Sequence, residues 1–364
     1  MLIIAPNLDS SARAGASPGF FDYAALWDGQ WYWYIAANGY PTTLPLDSSG
    51  LVAENQWAFM PLYPAIVSGL AGAIGIPWPT AAFLVSLAFG FAAALVLYRL
   101  FRIRLDHTQS LFAVTLFAVS PLSFILQMAY AESMQLFFLA LALLLVERRR
   151  WLWLVAVIPV MALTRPTGLA FALMLALYFV VRWLTRDREP FPARDRWWVI
   201  ALTALSGVMG LAWPAIAWAV TGSVTAYTDT ELAWRSAWIG QQHLIPFTPW
   251  FQAAPFWVGA ALAPLLVIVL VAGFAAVLLF VPAVKRLGHP MRLWMAAYGI
   301  YLFAFFFPQS SVLRILMPMF PLAGALAVPR STTFRTVLIA GSLALQFAWL
   351  WVTWGPVSTW WSIP

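Results

Sequence analysis

The stretch WVGAALAPLLVIVLVAGFAAVLLFVPA, residues 257–283, carries no charged side chain. A run of this length and composition is what an α-helix needs to cross about 30 Å of hydrocarbon. It is one of ten such runs. The others lie at about 80–98, 110–127, 132–146, 151–164, 168–182, 197–220, 292–307, 313–329 and 336–354, and some, such as ALALLLVERRR and WLWLVAVIPVMALTRP, are short for a full crossing. Only 9% of the 364 residues are charged, against about 25% in ordinary soluble domains. Lipid admits only structures that pair their own backbone groups. A β-barrel would show short alternating segments instead. The chain therefore reads as an all-α polytopic membrane protein.

The basic residues set the topology. Arg99, Arg102 and Arg104; Arg148, Arg149 and Arg150; Arg182, Arg186, Arg188, Arg194 and Arg196; Lys285, Arg286 and Arg292; and Arg330 and Arg335 all fall in alternate loops. These sixteen of the twenty basic residues share one side, which the positive-inside rule makes cytoplasmic. The net charge of +7 then faces anionic lipid rather than nucleic acid. With no cysteine and three scattered histidines, His107, His243 and His289, neither a thiolate site nor a His cluster is expected.

This topology puts residues 1–79 outside, as a loop domain ahead of a transmembrane domain over 80–364. The apolar piece FMPLYPAIVSGLAGAIGIPWP (59–79), interrupted by Pro61, Pro64 and Pro77, is expected to be a re-entrant or interfacial helix. Ten crossings leave the N-terminal segment with no route across. An eleventh, first helix is therefore expected, with MLIIAP as its outer end.

Eight of the thirteen acids fall outside, namely Asp9, Asp22, Asp28, Asp47, Glu54, Glu132, Asp229 and Glu231, together with four isolated arginines, Arg13, Arg165, Arg235 and Arg314. Sparse charges among aromatics near a membrane are candidate functional groups. In LWDGQWYWYIAANGYP a helix would place Asp28, Trp31 and Tyr32 on one face, with Trp27 adjacent. Flat rings with polar edges suit a sugar. An interfacial aromatic belt with Asp28 as a cap would look the same. Glu54 in AENQWAFMPLYP and Glu132 in QMAYAESMQLFF read either as secondary acids or as helix caps. Arg165 in LTRPTG and Arg314 in VLRILMPMFPL are candidates to bind phosphate through the guanidinium fork, to snorkel to headgroups, or to pair with an acid. Asp22 and Asp28 are too loosely spaced for a metal motif. No metal or cofactor is assigned. The sequence has no Walker loop and no dinucleotide fingerprint, and no charge deep in a span of the kind proton-coupled transport uses.

These motifs resemble the PIG-V-like mannosyltransferases, the second mannosyltransferases of GPI-anchor synthesis and their bacterial relatives. LWDGQWYWYIAANGYP followed by ENQWAFMPLYP carries most of the resemblance. PLSFILQMAYAESMQLFF, LTRPTG and LRILMPMFPL add to it, with Ala131, Pro166 and Ile315 departing from the usual pattern. The resemblance implies the GT-C architecture of membrane glycosyltransferases and an inverting transfer on the external face from a polyprenyl-phosphate sugar, in which the carboxylate of the first external loop is the base. That base is Asp28 here. Glu54, Glu132 and Asp22 would be secondary acids, Arg165 and Arg314 would hold the donor phosphate, and Trp27, Trp31, Tyr32, Trp57, Tyr63 and Tyr130 would contact sugar or lipid. The acceptor is not specified. Little Lys beside much Arg, Ala and Trp points to a GC-rich bacterial genome and its cytoplasmic membrane. A polyprenyl-phosphate-binding or translocating protein without chemistry, and a transferase of another sugar, would use the same residues and stay open as alternatives.

Overall fold

A computed structural model describes Ala5 and residues 15–354. The MLIIAP segment apart from Ala5, and with it Asp9 and Arg13, lies outside the described residues. Among those described, the chain is helical, with one isolated β-bridge between Leu46 and Val52. In chain order the helices are α1 (Phe20–Ala24), α2 (Asp28–Asn38), α3 (Leu62–Ile74), α4 (Trp78–Phe101), α5 (His107–Val119), α6 (Glu132–Glu147), α7 (Trp151–Ala162), α8 (Gly168–Leu184) and α9 (Ala193–Thr221). They continue as α10 (Ala226–Ile239), α11 (Pro249–Val258), α12 (Ala263–Phe280), α13 (Pro282–Lys285), α14 (His289–Phe305), α15 (Val312–Ile315), α16 (Pro321–Leu326) and α17 (Thr332–Trp354). Four of them, α4, α9, α12 and α17, are long and apolar enough to cross a membrane, and several shorter apolar helices accompany them. The fold is that of a polytopic membrane protein.

Proline decides where the apolar runs break. The run expected over 110–127 stops as a helix at Val119, ahead of Pro121, and resumes as a 3-10 turn at Ser123–Gln127. The run expected over 313–329 is not one helix. It is α15, a 3-10 turn at Met317–Met319 and α16, with Pro318 and Pro321 at the joints. Proline lacks the amide hydrogen and collides with the preceding turn, so an apolar run can be long enough to span and still be broken.

The chain divides into two compact units. The first comprises Met1–Asn38, Pro61–Leu144 and Ser310–Pro364, and the second Gly39–Met60 and Leu145–Gln309. In the first, a core of Tyr23, Ala24, Leu26, Phe124, Ile125, Met128 and Tyr130 joins the N-terminal helices to the segment before α6. At its polar edge, Asp106 caps α5 by accepting from the Gln109 N–H (2.8 Å), while the Gln109 side chain accepts from the Asp106 N–H (3.3 Å). This reciprocal box satisfies two otherwise orphaned donors.

In the second unit, α8 and α9 meet through Gly168 and Gly210. A Cβ added at Gly168 would stand 2.6 Å from the Gly210 Cα. Small residues let helix backbones approach this closely, a device common among membrane helices. The Ser206 hydroxyl closes the contact by donating to the Gly168 carbonyl (2.7 Å). A second nucleus of this unit packs Tyr40, Trp57 and Trp213 in tilted and edge-to-face pairs with ring centroids 4.8–5.1 Å apart.

Candidate functional site

Three segments distant in sequence converge in the first unit. Asp28 is the first residue of α2 and Glu132 the first of α6, and both are the acidic residues of their helices' first turns. A helix N-terminus favours negative charge, because its free N–H groups and the helix dipole point there. Between the two carboxylates lies Arg314, on α15. Its Nη1 donates to Asp28 Oδ2 and stands 3.3 Å from Glu132 Oε1. All three are enclosed. The side chains of Arg314, Asp28 and Glu132 are 8%, 14% and 3% exposed. A charge so placed is tolerable only when matched by opposite charge and hydrogen bonds.

Tyr130 is the floor of this group. It is fully buried, its ring lies 5.2 Å below the Arg314 guanidinium carbon, and its hydroxyl oxygen accepts the Asp28 backbone N–H (3.3 Å). Burial, reinforced by the nearby negative charge of Asp28, holds the Tyr130 phenol well above its usual range. It therefore stays a neutral hydroxyl and serves as a hydrogen-bonding post. Its carbonyl accepts from the Ser86 hydroxyl (3.2 Å), which in turn lies 2.8 Å from the Tyr63 hydroxyl.

Local backbone explains how Asp28 reaches this place. Trp27 has a left-handed φ of 58°, a conformation that costs a bulky residue energy and persists where its surroundings fix it. It turns the chain sharply between α1 and α2. Gly29 then sits against residue 129, where an added Cβ would lie 3.2 Å from the Ala129 Cβ. The Ala129 N–H donates to the Ala24 carbonyl (2.9 Å), so both sides of the Trp27 turn are tied to the strip leading into α6.

The other expected site residues are distributed as follows. Trp27 and Trp31 are half-buried, and Asp22, in α1, is exposed. Tyr32 and Tyr63 are fully buried and pack edge to face at 5.0 Å. Trp57 is also buried. It belongs to the second unit, where its indole N–H donates to the Pro41 carbonyl (3.0 Å). Glu54 is an exposed residue of that same unit. Its neighbour Asn55 takes the capping role. The Asn55 side chain accepts from the Trp57 N–H (3.0 Å) and donates to the Thr230 hydroxyl (2.8 Å).

Arg165 lies in the turn between α7 and α8, in the second unit, and acts electrostatically on the hydroxyls of Tyr227 and Tyr301 together with Glu231. Tyr227 shares a hydrogen bond with Glu231; burial first, and Glu231 second, hold its phenol well above the usual range. Tyr227 and Tyr301 were not singled out by sequence reasoning. The available signal was the i, i+4 spacing of Tyr227 and Glu231 on α10.

A guanidinium flanked by two carboxylates gives the first unit the elements of acid–base and anion chemistry in one enclosed place. Either carboxylate can take a proton from a hydroxyl, and the guanidinium can meet a phosphate bidentately.

Comparison with known proteins gives one direction. Over 117 residues the chain is 33% identical to GPI mannosyltransferase 2 of Drosophila pseudoobscura pseudoobscura. The likeness is to a mannosyltransferase. It covers 29% of this chain and 24% of that protein, so the match spans about a quarter of the relative's length. No protein-family model matches the chain.

Proposed function

We propose that this protein is a membrane mannosyltransferase that moves the sugar of a polyprenyl-phosphate donor to an acceptor hydroxyl on the external face, with inversion. The observation that carries the proposal is the convergence of Asp28, Glu132 and Arg314 over Tyr130. The likeness to a mannosyltransferase supports the choice of reaction.

In this reading the acceptor oxygen attacks the anomeric carbon and its proton passes to the Asp28 carboxylate. The bond from the anomeric carbon to the phosphate oxygen breaks, and the electron pair leaves with the polyprenyl phosphate. Arg314 offsets the charge that develops on that leaving group. Without donor, the guanidinium occupies a lone pair of Asp28. A donor phosphate competes for the same N–H groups and turns Asp28 free to face the acceptor. Glu132 keeps the guanidinium in place during the exchange. Trp27 and Trp31, the half-buried rings beside Asp28, border the sugar. Tyr32, Tyr63 and Tyr130 support that wall from within.

The test is Asp28→Asn in membrane vesicles supplied with polyprenyl-phosphate mannose and membrane acceptors. The amide preserves size and hydrogen bonding but cannot take the proton. Transfer should fall at least 1,000-fold while the amount of folded protein stays near wild type. Near-normal transfer by Asp28→Asn would remove Asp28 as base. Full function with Asp28, Glu54 and Glu132 all neutralised would favour a binding or translocating protein without chemistry.

A further inference from the structure

Ser86 lies in α4, a helix long and apolar enough to cross a membrane, and it is fully buried. A hydroxyl in such a place must find its partners within the protein. The Ser86 hydroxyl finds them at the candidate site. It donates to the Tyr130 carbonyl (3.2 Å) and stands 2.8 Å from the Tyr63 hydroxyl. Tyr63, on α3, also reaches the Ala82 carbonyl (3.2 Å), one turn before Ser86. A hydroxyl has one proton to give. With the Ser86 proton on Tyr130, the contact between the two hydroxyls takes Tyr63 as its donor, and the three groups are polarised in one direction.

Tyr130 precedes the first residue of α6 by two positions and so stands outside that helix's own ladder. Its backbone is held from α4 instead. One turn past Ser86, a Cβ added at Gly90 would lie 3.5 Å from the Leu126 carbonyl oxygen and 3.7 Å from the Ser133 hydroxyl oxygen. Ser133 in turn donates to the Leu126 carbonyl (3.0 Å). The face of α4 from Ser86 to Gly90 is therefore seated on the strip that leads through Tyr130 into Glu132. From that strip the Tyr130 ring lies under Arg314 at 5.2 Å, and its hydroxyl oxygen accepts the Asp28 N–H (3.3 Å). The place of the Tyr130 backbone thus decides where Asp28 is pinned.

We infer that Ser86 is a positioning residue for sugar transfer. By holding the Tyr130 carbonyl from α4, it fixes the Tyr130 hydroxyl against the Asp28 backbone and so aims the Asp28 carboxylate. It acts through Tyr130 and not on substrate. The inference rests on the transfer reading and adds to it a residue of the spanning helix.

The test compares transfer kinetics of the full chain in vesicles supplied with polyprenyl-phosphate mannose for wild type, Ser86→Ala, Tyr130→Phe and the double variant. Ser86→Ala suits a helix and leaves Tyr63 its Ala82 acceptor, so the loss falls on the Tyr130 carbonyl. Its kcat should fall about fivefold, the scale of one neutral hydrogen bond, with the donor KM within about twofold. In Tyr130→Phe, which lacks the hydroxyl that Ser86 positions, the same change should lower kcat less than about twofold further. A second readout needs no turnover. Amide exchange at Asp28, followed by mass spectrometry with fragmentation, should quicken about tenfold in Ser86→Ala while the Gln109 amide in the α5 cap keeps its wild-type rate. The inference is overturned if Ser86→Ala keeps its kcat, if its loss multiplies in full with that of Tyr130→Phe, or if exchange at Asp28 is unchanged. Asp28-dependent transfer by wild type in those cases leaves the transfer reading standing. Absence of transfer by wild type, with exchange at Asp28 quickened in Ser86→Ala, overturns the transfer reading and with it the catalytic use of the Ser86 contact.

Discussion

Replacing Arg314 by Met should destabilise the protein more than removing all three charges of its cluster. At the 3.3 Å separation of Arg314 and Glu132, an effective dielectric constant near 20 gives a gross attraction of about 5 kcal/mol, and the closer Asp28 pair gives at least as much. Desolvation of the three groups opposes most of that. Met at 314 leaves that desolvation cost in place for two neighbouring carboxylates and removes what offset it. Breaking a buried pair from one side in this way costs about 3–5 kcal/mol. The triple variant Asp28→Asn, Glu132→Gln, Arg314→Met keeps the shapes and removes every charge, and such replacements are often neutral or stabilising. Thermal unfolding of the purified protein, followed by the fluorescence of its 22 tryptophans, reads the difference. For a unit of this size, about 2–4 °C per kcal/mol translates the loss into a Tm lower by roughly 6–20 °C for Arg314→Met. The triple variant should recover at least half of the fall. The reasoning fails if Arg314→Met melts with wild type, or if the triple variant melts no higher than Arg314→Met.

Two further outcomes follow from the same geometry. Tyr130→Phe keeps the ring under Arg314 but removes the oxygen that accepts the Asp28 N–H. It should cost about 1–3 kcal/mol of stability as a buried donor goes unmet and lower kcat about tenfold with the donor KM within twofold, read by vesicle transfer kinetics; an unchanged kcat would show that Tyr130 only fills space. Asp106 has its carboxyl held below the ordinary value of 3.8, first by the Gln109 N–H and then by Arg330. A depressed carboxyl contributes stability that is present above its ordinary value and lost as pH falls through the lower folded one. Tm of wild type should therefore drop across pH values below about 3.8, with a shallower drop in Asp106→Asn, and parallel curves would remove Asp106 from the account.

Much of the helical skeleton was readable because lipid imposes a simple rule: a long apolar run must pair its own backbone. The breaks were less readable, since Pro318 and Pro321 look like ordinary members of an apolar run until their missing amide hydrogens are counted. The isolated charges stood out for the same reason the helices did. That an arginine could pair with an acid was readable, but the identity of its partners was not. Nothing in the local sequence couples Asp28 to a residue 286 positions away. Aromatic residues were the hardest to place. Trp31 and Tyr63 are both large rings near acids, yet one is half-buried and the other fully enclosed, and composition cannot separate a ring that faces a ligand from a ring that fills a core. Capping was ambiguous at the level of one residue. Glu54 and Asn55 are adjacent polar groups, and the shorter side chain closes the turn, in line with the strong preference for Asn at such positions.

The cluster over Tyr130 also sets a clock on biosynthesis. Asp28 and Glu132 are synthesised early, while Arg314 follows Glu132 by 182 positions, which at about 5–20 residues per second takes roughly 9–36 s. For that interval two carboxylates that end up enclosed have no guanidinium to meet, so the first unit cannot close around them at full stability. A half-made chain is thus marked by uncompensated negative charge where the finished one is neutralised.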